Sequence, residues 1–214
     1  MKKMALAFLL IASGVFVYAQ ANLPEYYPVS GSWSVKDGRL YQTDQNARIA
    51  RVNIPAPQNS DIMAYEFDVR YEGGAEDGHA GLGMHVFVDS AHHREAWGAG
   101  KSFLLWLNYD EKPVTSGIPA GFSAQIYQSL SNTEMRLIRS IDLNDFFSPM
   151  TEDDLDLIWP VKIVIYSNTG EIRVYDPIDP DLFYSMNLDR SVLPLRGEWV
   201  ILRTNGLNAS FAAQ

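Results

Sequence analysis

From Ile62 to Tyr71 the chain alternates apolar and polar: Tyr65, Phe67, Val69 and Tyr71 interleave with Glu66, Asp68 and Arg70. Successive side chains of an extended backbone point to opposite faces, so this run gives an apolar face to a core and a charged face to water. A helix would scatter the same residues around its whole circumference. Similar runs recur at Trp33 to Val35, Leu40 to Thr43, Gly81 to Asp89, Ser102 to Tyr109, Gly121 to Ser129, Met135 to Ile141, Val161 to Tyr166, Glu171 to Tyr175, Trp199 to Arg203 and Leu207 to Phe211, separated by Gly, Pro, Asn and Asp. Asp37-Gly38 is a hairpin signal, because both residues tolerate positive φ. Asn168-Thr169-Gly170 joins another adjacent pair of runs. Helical signal is confined to Pro149 to Ile158, where Thr151 can cap a turn opened by Glu152, Asp153 and Asp154 at the positive end of the helix dipole. About ten to twelve strands, with no long helix to cross between parallel neighbours, predict an all-β fold: a two-sheet antiparallel β-sandwich, or jelly roll, with one short helix.

The N-terminus has a different design. Lys2 and Lys3 precede an apolar run from Ala5 to Val17, broken only by Ser13 and Gly14, and Val17-Tyr18-Ala19 offers small residues for cleavage before Gln20. Residues 1–19 therefore read as a secretory signal peptide. The run is shorter than the roughly 20 residues that span a bilayer, and no Cys follows it to carry a lipid. The mature protein is expected to be soluble and exported to the periplasm, cell surface or medium, and the short Lys-led leader fits a bacterial source. Residues 22–214 then form one domain, large enough to bury a self-sufficient core without disulfides, which the absence of Cys rules out. Without Lys2 and Lys3 the 17 basic residues fall to 15 against 26 acidic ones, a net charge near −11. That surface repels nucleic acid and anionic lipid, and neither is assigned as a partner.

The order of several pieces resembles the concanavalin A-like lectin/glucanase superfamily, including laminin G-like domains and the 3-keto-disaccharide hydrolase-like domains. They are Gly31-Ser32-Trp33-Ser34-Val35-Lys36-Asp37-Gly38-Arg39-Leu40, the strand Tyr65 to Arg70, the Gly-rich Ala80-Gly81-Leu82-Gly83-Met84, Gly170 to Val174, and the closing Gly197 to Asn205. The resemblance implies two curved sheets whose concave face or loop rim meets a glycan. It implies no activity, since the same sandwich carries lectins, hydrolases, lyases and structural modules.

Side chains must decide function. Glycoside hydrolysis needs two flanking carboxyl groups, which laminarinase-like members of the superfamily carry as Glu-x-Asp-x-Glu on one strand. Here the pattern reads Glu66-Phe67-Asp68-Val69-Arg70, and Arg70 replaces the third acid. His79, His85, His92 and His93 match no metallohydrolase spacing, and neighbours such as His92 and His93 point apart on an extended chain. Asp176, Asp179 and Asp181 place three hard oxygen ligands in a proline-stiffened loop, a candidate calcium site. An aromatic and amide constellation is the remaining candidate. Trp106 and Asn108 share one side of their strand; His85, Phe87 and Asp89 share a side of another; Gln125 and Tyr127 share a side of a third. If the three strands are neighbours, Trp106, Asn108, His85, Tyr127 and Gln125 line a groove, with Trp106 as a solvent-facing platform on which a sugar ring stacks.

Three classes of function stay open, in this order: a non-catalytic module binding a glycan or envelope component, a structural or assembly protein of the envelope contacting other envelope proteins, and a glycoside hydrolase or lyase with its site in the loops Glu72 to His79 and Ser90 to Lys101.

Overall fold

The computed structural model describes residues 23–145, 157–179 and 181–213. Fourteen strands run through these residues: β1 (Tyr27–Ser30), β2 (Trp33–Lys36), β3 (Arg39–Gln42), β4 (Ala50–Gln58), β5 (Ile62–Gly74), β6 (His79–Val88), β7 (Ser102–Asp110), β8 (Gly121–Ser129), β9 (Met135–Asp142), β10 (Ile158–Tyr166), β11 (Glu171–Tyr175), β12 (Phe183–Asn187), β13 (Gly197–Asn205) and β14 (Leu207–Ala213). They build two seven-stranded sheets: sheet I, in the order β1-β4-β13-β6-β7-β8-β9, and sheet II, in the order β12-β11-β10-β5-β14-β3-β2. Every pairing is antiparallel. The all-β sandwich expected from the alternation is what forms. The helical turn expected over Pro149 to Ile158 lies outside the described residues as far as Asp156, and Ile158 opens β10. A single 3-10 turn at Arg190–Val192 is the helical element within the described residues. None of their helices is long and apolar enough to cross a membrane.

The core is a single cluster between the facing sides. Sheet I contributes Val52, Met84, Val86, Leu105, Ile126 and Leu202, and sheet II contributes Leu40, Val69, Ile163, Ile165, Ile172 and Phe211. The period-two reading of β5 is met on both faces. Val69 enters the core with Tyr65 and Phe67 packed against it, while Glu66 points away from the core and pairs with Lys162 of β10 at 2.8 Å. One buried side chain links the sheets. Gln58 Oε1 accepts from Tyr65 Oη at 2.6 Å and from the Phe87 amide at 2.8 Å, while its Nε2 donates to Ala56 O at 3.2 Å and Trp199 O at 2.9 Å. A fully satisfied amide is the condition under which a polar group is tolerated inside a core. Phe87, with φ of 57°, sits in an irregularity of the β6 ladder and turns its ring into the core beside Val86. It does not share a side with His85, as strict alternation predicts, because the bulge inserts an extra residue.

A recess topped by tryptophan and the sheet face beside it

The register of sheet I lays its outward side chains in rows. Asn205, Gly81, Asn108 and Ser123 form one row; Arg51, Arg203, Gly83, Trp106 and Gln125 form the next; Asn53, Ile201, His85, Leu104 and Tyr127 form the third. The five residues singled out from the sequence therefore do lie together on one face, with Trp106 directly opposite Gln125. A short relay runs along β8, from Tyr127 Oη to Gln125 Oε1 at 2.7 Å and from Gln125 Nε2 to Ser123 Oγ at 2.8 Å. Trp106 Nε1 donates to Asn108 Oδ1 at 3.1 Å.

The solvent-facing platform, however, is not Trp106, which is only 8% exposed. Its indole lies against Gly81, where an added Cβ would come 2.2 Å from the ring. Sequence alternation gave Trp106 its side of the strand but could not reveal what covers that side. The cover is the connection between β6 and β7, residues 89–101, held down by side chains that bond its backbone. Asn53 Nδ2 donates to His92 O at 2.7 Å, and Asn53 Oδ1 accepts from the His92 amide at 3.3 Å. Ser129 Oγ accepts from the Ala99 amide at 2.8 Å. Arg51 donates to Gly98 O and Trp97 O, both at 3.0 Å, and Arg203 Nη1 donates to Trp97 O at 2.8 Å.

Electrostatics under this cover are unusual for an acidic protein. Arg51 and Arg203 are in register on adjacent strands and almost wholly buried, and no carboxylate of a described residue lies within 4.0 Å of either. Burial lowers the Arg51 guanidinium from its ordinary range to about 10 and that of Arg203 to about 9, so both remain cationic at neutral pH. His85 stands beside them. Burial, then Arg51 and Arg203, holds its imidazole well below the ordinary histidine value. The neutral ring accepts from Arg51 Nη2 through Nε2 at 3.3 Å, which leaves Nδ1 to donate to Ser102 Oγ at 3.2 Å.

The exposed aromatic side chain beside this face is Trp97, at 46%. Its ring lines a recess of about 470 Å³ at one end of the sandwich, shared with Gln45, Asn46, Arg48, Asp77, His79 and Asn205. Four connections converge there: β3–β4, β5–β6, β6–β7 with Trp97, and the β13–β14 corner at Gly206. Gly206 has φ of 66°, and a Cβ on it would meet His79 O at 2.7 Å. Sequence reasoning did not assemble this recess, because its residues come from separate loops. A signal was present nonetheless: in Ala96-Trp97-Gly98-Ala99-Gly100 no neighbour is large enough to shield an indole.

The remaining sequence candidates fall elsewhere. Glu66, Asp68 and Arg70 sit on the outward side of sheet II, away from the recess. Asp176, Asp179 and Asp181 occupy the exposed β11–β12 turn. There Asp176 Oδ1 accepts from the amides of Ile178 at 2.7 Å and Asp179 at 2.9 Å, and Asp179 Oδ1 accepts from the Asp181 amide at 3.1 Å. These bonds, Asp179's amide first, hold the Asp176 carboxyl below its ordinary range. Among the described residues no three His, Cys, Asp or Glu side chains are grouped to hold a metal ion. The signal segment read at residues 1–19 lies outside the described residues.

Two antiparallel seven-stranded sheets in this order form a jelly-roll β-sandwich. Solved structures agree. The carbohydrate binding module CBM66 from Bacillus subtilis superposes with a TM-score of 0.57 at 12% identity, over 90% of this chain and 94% of that one. Lectin II from Ulex europaeus gives 0.54 at 15% identity, over 91% and 96%. The carbohydrate recognition domain of Emp46p in its potassium-bound form gives 0.54 at 10%, over 90% and 94%. At such identities the likeness is one of fold. No family model matches the sequence, and no curated protein matches it.

Proposed function

We propose that this chain is a non-catalytic glycan-binding module that takes a sugar in the recess beside Trp97. One observation carries the reading: a half-exposed indole lines a recess whose walls include the amides and charged groups of Gln45, Asn46, Asn205, Arg48 and Asp77. A pyranose or furanose ring offers an apolar C–H face for the indole and a rim of hydroxyls for amides and carboxylates, and specific polar groups in an aromatic-walled concavity are the general pattern of small-ligand sites. Support also comes from the fold neighbours, whose names describe carbohydrate-binding proteins. The break at Arg70 and the pairing of Glu66 with Lys162 favour binding over hydrolysis. The leader read at residues 1–19 makes this an exported module, working in the periplasm, at the cell surface or in the medium. N-terminal sequencing of protein recovered from outside the cytoplasm should begin near Gln20, and an intact Met1 would defeat that part of the proposal.

The test is a glycan array on purified protein, followed by calorimetric titration of each hit. Trp97→Ala should weaken binding about tenfold or more, as removal of a central aromatic anchor does, at a cost of about 1 kcal/mol or less in stability. Trp106→Ala should behave differently, losing about 3–5 kcal/mol of stability because it empties a packed site. Retained affinity in Trp97→Ala would exclude the recess.

A further inference from the structure

Trp97 is only partly packed. Its sequence neighbours are Ala96 and Gly98 and nearly half its surface is in water, yet a platform must keep one orientation to be useful. What holds it is guanidinium. The Trp97 carbonyl accepts from Arg51 Nη2 at 3.0 Å and from Arg203 Nη1 at 2.8 Å, and the next carbonyl, Gly98 O, accepts from Arg51 Nη1 at 3.0 Å. Arg203 Cζ also lies 4.7 Å from the centroid of the Trp97 ring and 5.2 Å from that of Trp106. Its Nε is fixed by Asn205 Oδ1 at 3.1 Å, and Asn205 is itself a wall of the recess. We infer that Arg203, supported by Arg51, is the positioning residue of the site: it fixes the backbone and the ring of Trp97 together and joins both to Asn205.

The choice of residue supports a role beyond stability. Two desolvated cations side by side cost several kcal/mol each, and apolar side chains of similar volume would hold the sheet face at least as well. Only arginine is planar enough to lie against an indole while its edge donates to a carbonyl and an amide. Lysine keeps the charge and most of the length but offers no plane.

The inference rests on the glycan-binding reading, and the experiment separates the two. Full-length Arg203→Lys and Arg203→Met, with Ile165→Val as a control in the core of sheet II, are each made with and without Trp97→Phe. The difference in acrylamide quenching within each pair isolates Trp97 from the other four tryptophans. Each protein is also titrated with oligosaccharides of α-mannan, β-glucan, β-galactan and polygalacturonate. Trp97 quenching should rise about twofold in both Arg203 variants, and affinity for any panel member that wild type binds should fall about tenfold; Ile165→Val should change neither, although it lowers the melting temperature. Native-like quenching of Trp97 in a folded Arg203 variant overturns the inference. Should Arg203→Met not fold, Arg203→Lys decides alone. If wild type binds none of the panel while Trp97 quenching shifts as stated, the positioning role stands and the glycan reading falls.

Discussion

His85 is buried completely, with the cations Arg51 and Arg203 against it and His92, itself lowered by burial and by Arg51, close by. In the unfolded chain the same imidazole protonates near 6.5. Between that value and its depressed folded value the unfolded state binds the extra proton, so the stability contributed by neutral His85 is present above pH 6.5 and is lost as pH falls. Each such proton steepens the loss by about 1.4 kcal/mol per pH unit. Thermal melts from pH 7.5 to 5 should fall steadily for wild type and less steeply for His85→Gln, which keeps a hydrogen-bonding side chain with no proton to gain; parallel slopes would show that His85 contributes nothing. At this scale the sequence was informative about sides and silent about cover. Period two put Trp106, Asn108, His85, Gln125 and Tyr127 on one face. Their burial depends on Arg51, Asn53 and Ser129 meeting the backbone of a loop far away in sequence, and no local pattern encodes that.

The loop across sheet I behaves as an added layer bonded through its backbone. Asn53 exchanges two bonds with His92, much as a neighbouring strand would, and only Val88, Ala99, Ile201 and Trp199 provide an apolar contact nearby. Asn53→Ala should leave the part-buried backbone of His92 without either bond and cost about 1–3 kcal/mol. Because the sheet beneath is independently paired, hydrogen exchange should accelerate at residues 91–99 and stay slow in β6 and β7; uniform acceleration would mean the loop and sheet open together. The strands themselves were largely legible from alternation, with three exceptions. β4 carries Pro55 and Pro57, which argue against a strand; β1 pairs only with Arg51, Val52 and Asn53, so the prolines occupy a stretch open on that side, where a missing N–H is tolerated. β1 and β12 are short edge strands with much of their surface exposed, and their apolar residues face little that would enforce a pattern.

Over the whole molecule, the closing corner β13–β14 lies inside both sheets. Its two strands turn at Gly206 and enter different sheets: β13 between β4 and β6, β14 between β5 and β3. Each lies third from one edge of its sheet, so without it the strands earlier in the chain are left as a pair and a group of four on either side of a gap. Removal of residues 197–214 should therefore abolish folding outright, giving a far-ultraviolet circular dichroism spectrum without the β minimum and no cooperative melt. A truncated chain that still melted cooperatively would show that one half-sheet is stable alone.

The same corner sets when the protein can first exist. A ribosome delivers the strand that joins the two parts of each sheet after both parts, so during synthesis both sheets stay divided until the end. Most native contacts join residues distant in sequence, and such topologies commit slowly. The chain has no stable stopping point before Leu207–Ala213 is made, and until then it remains open to whatever machinery handles unfolded polypeptide.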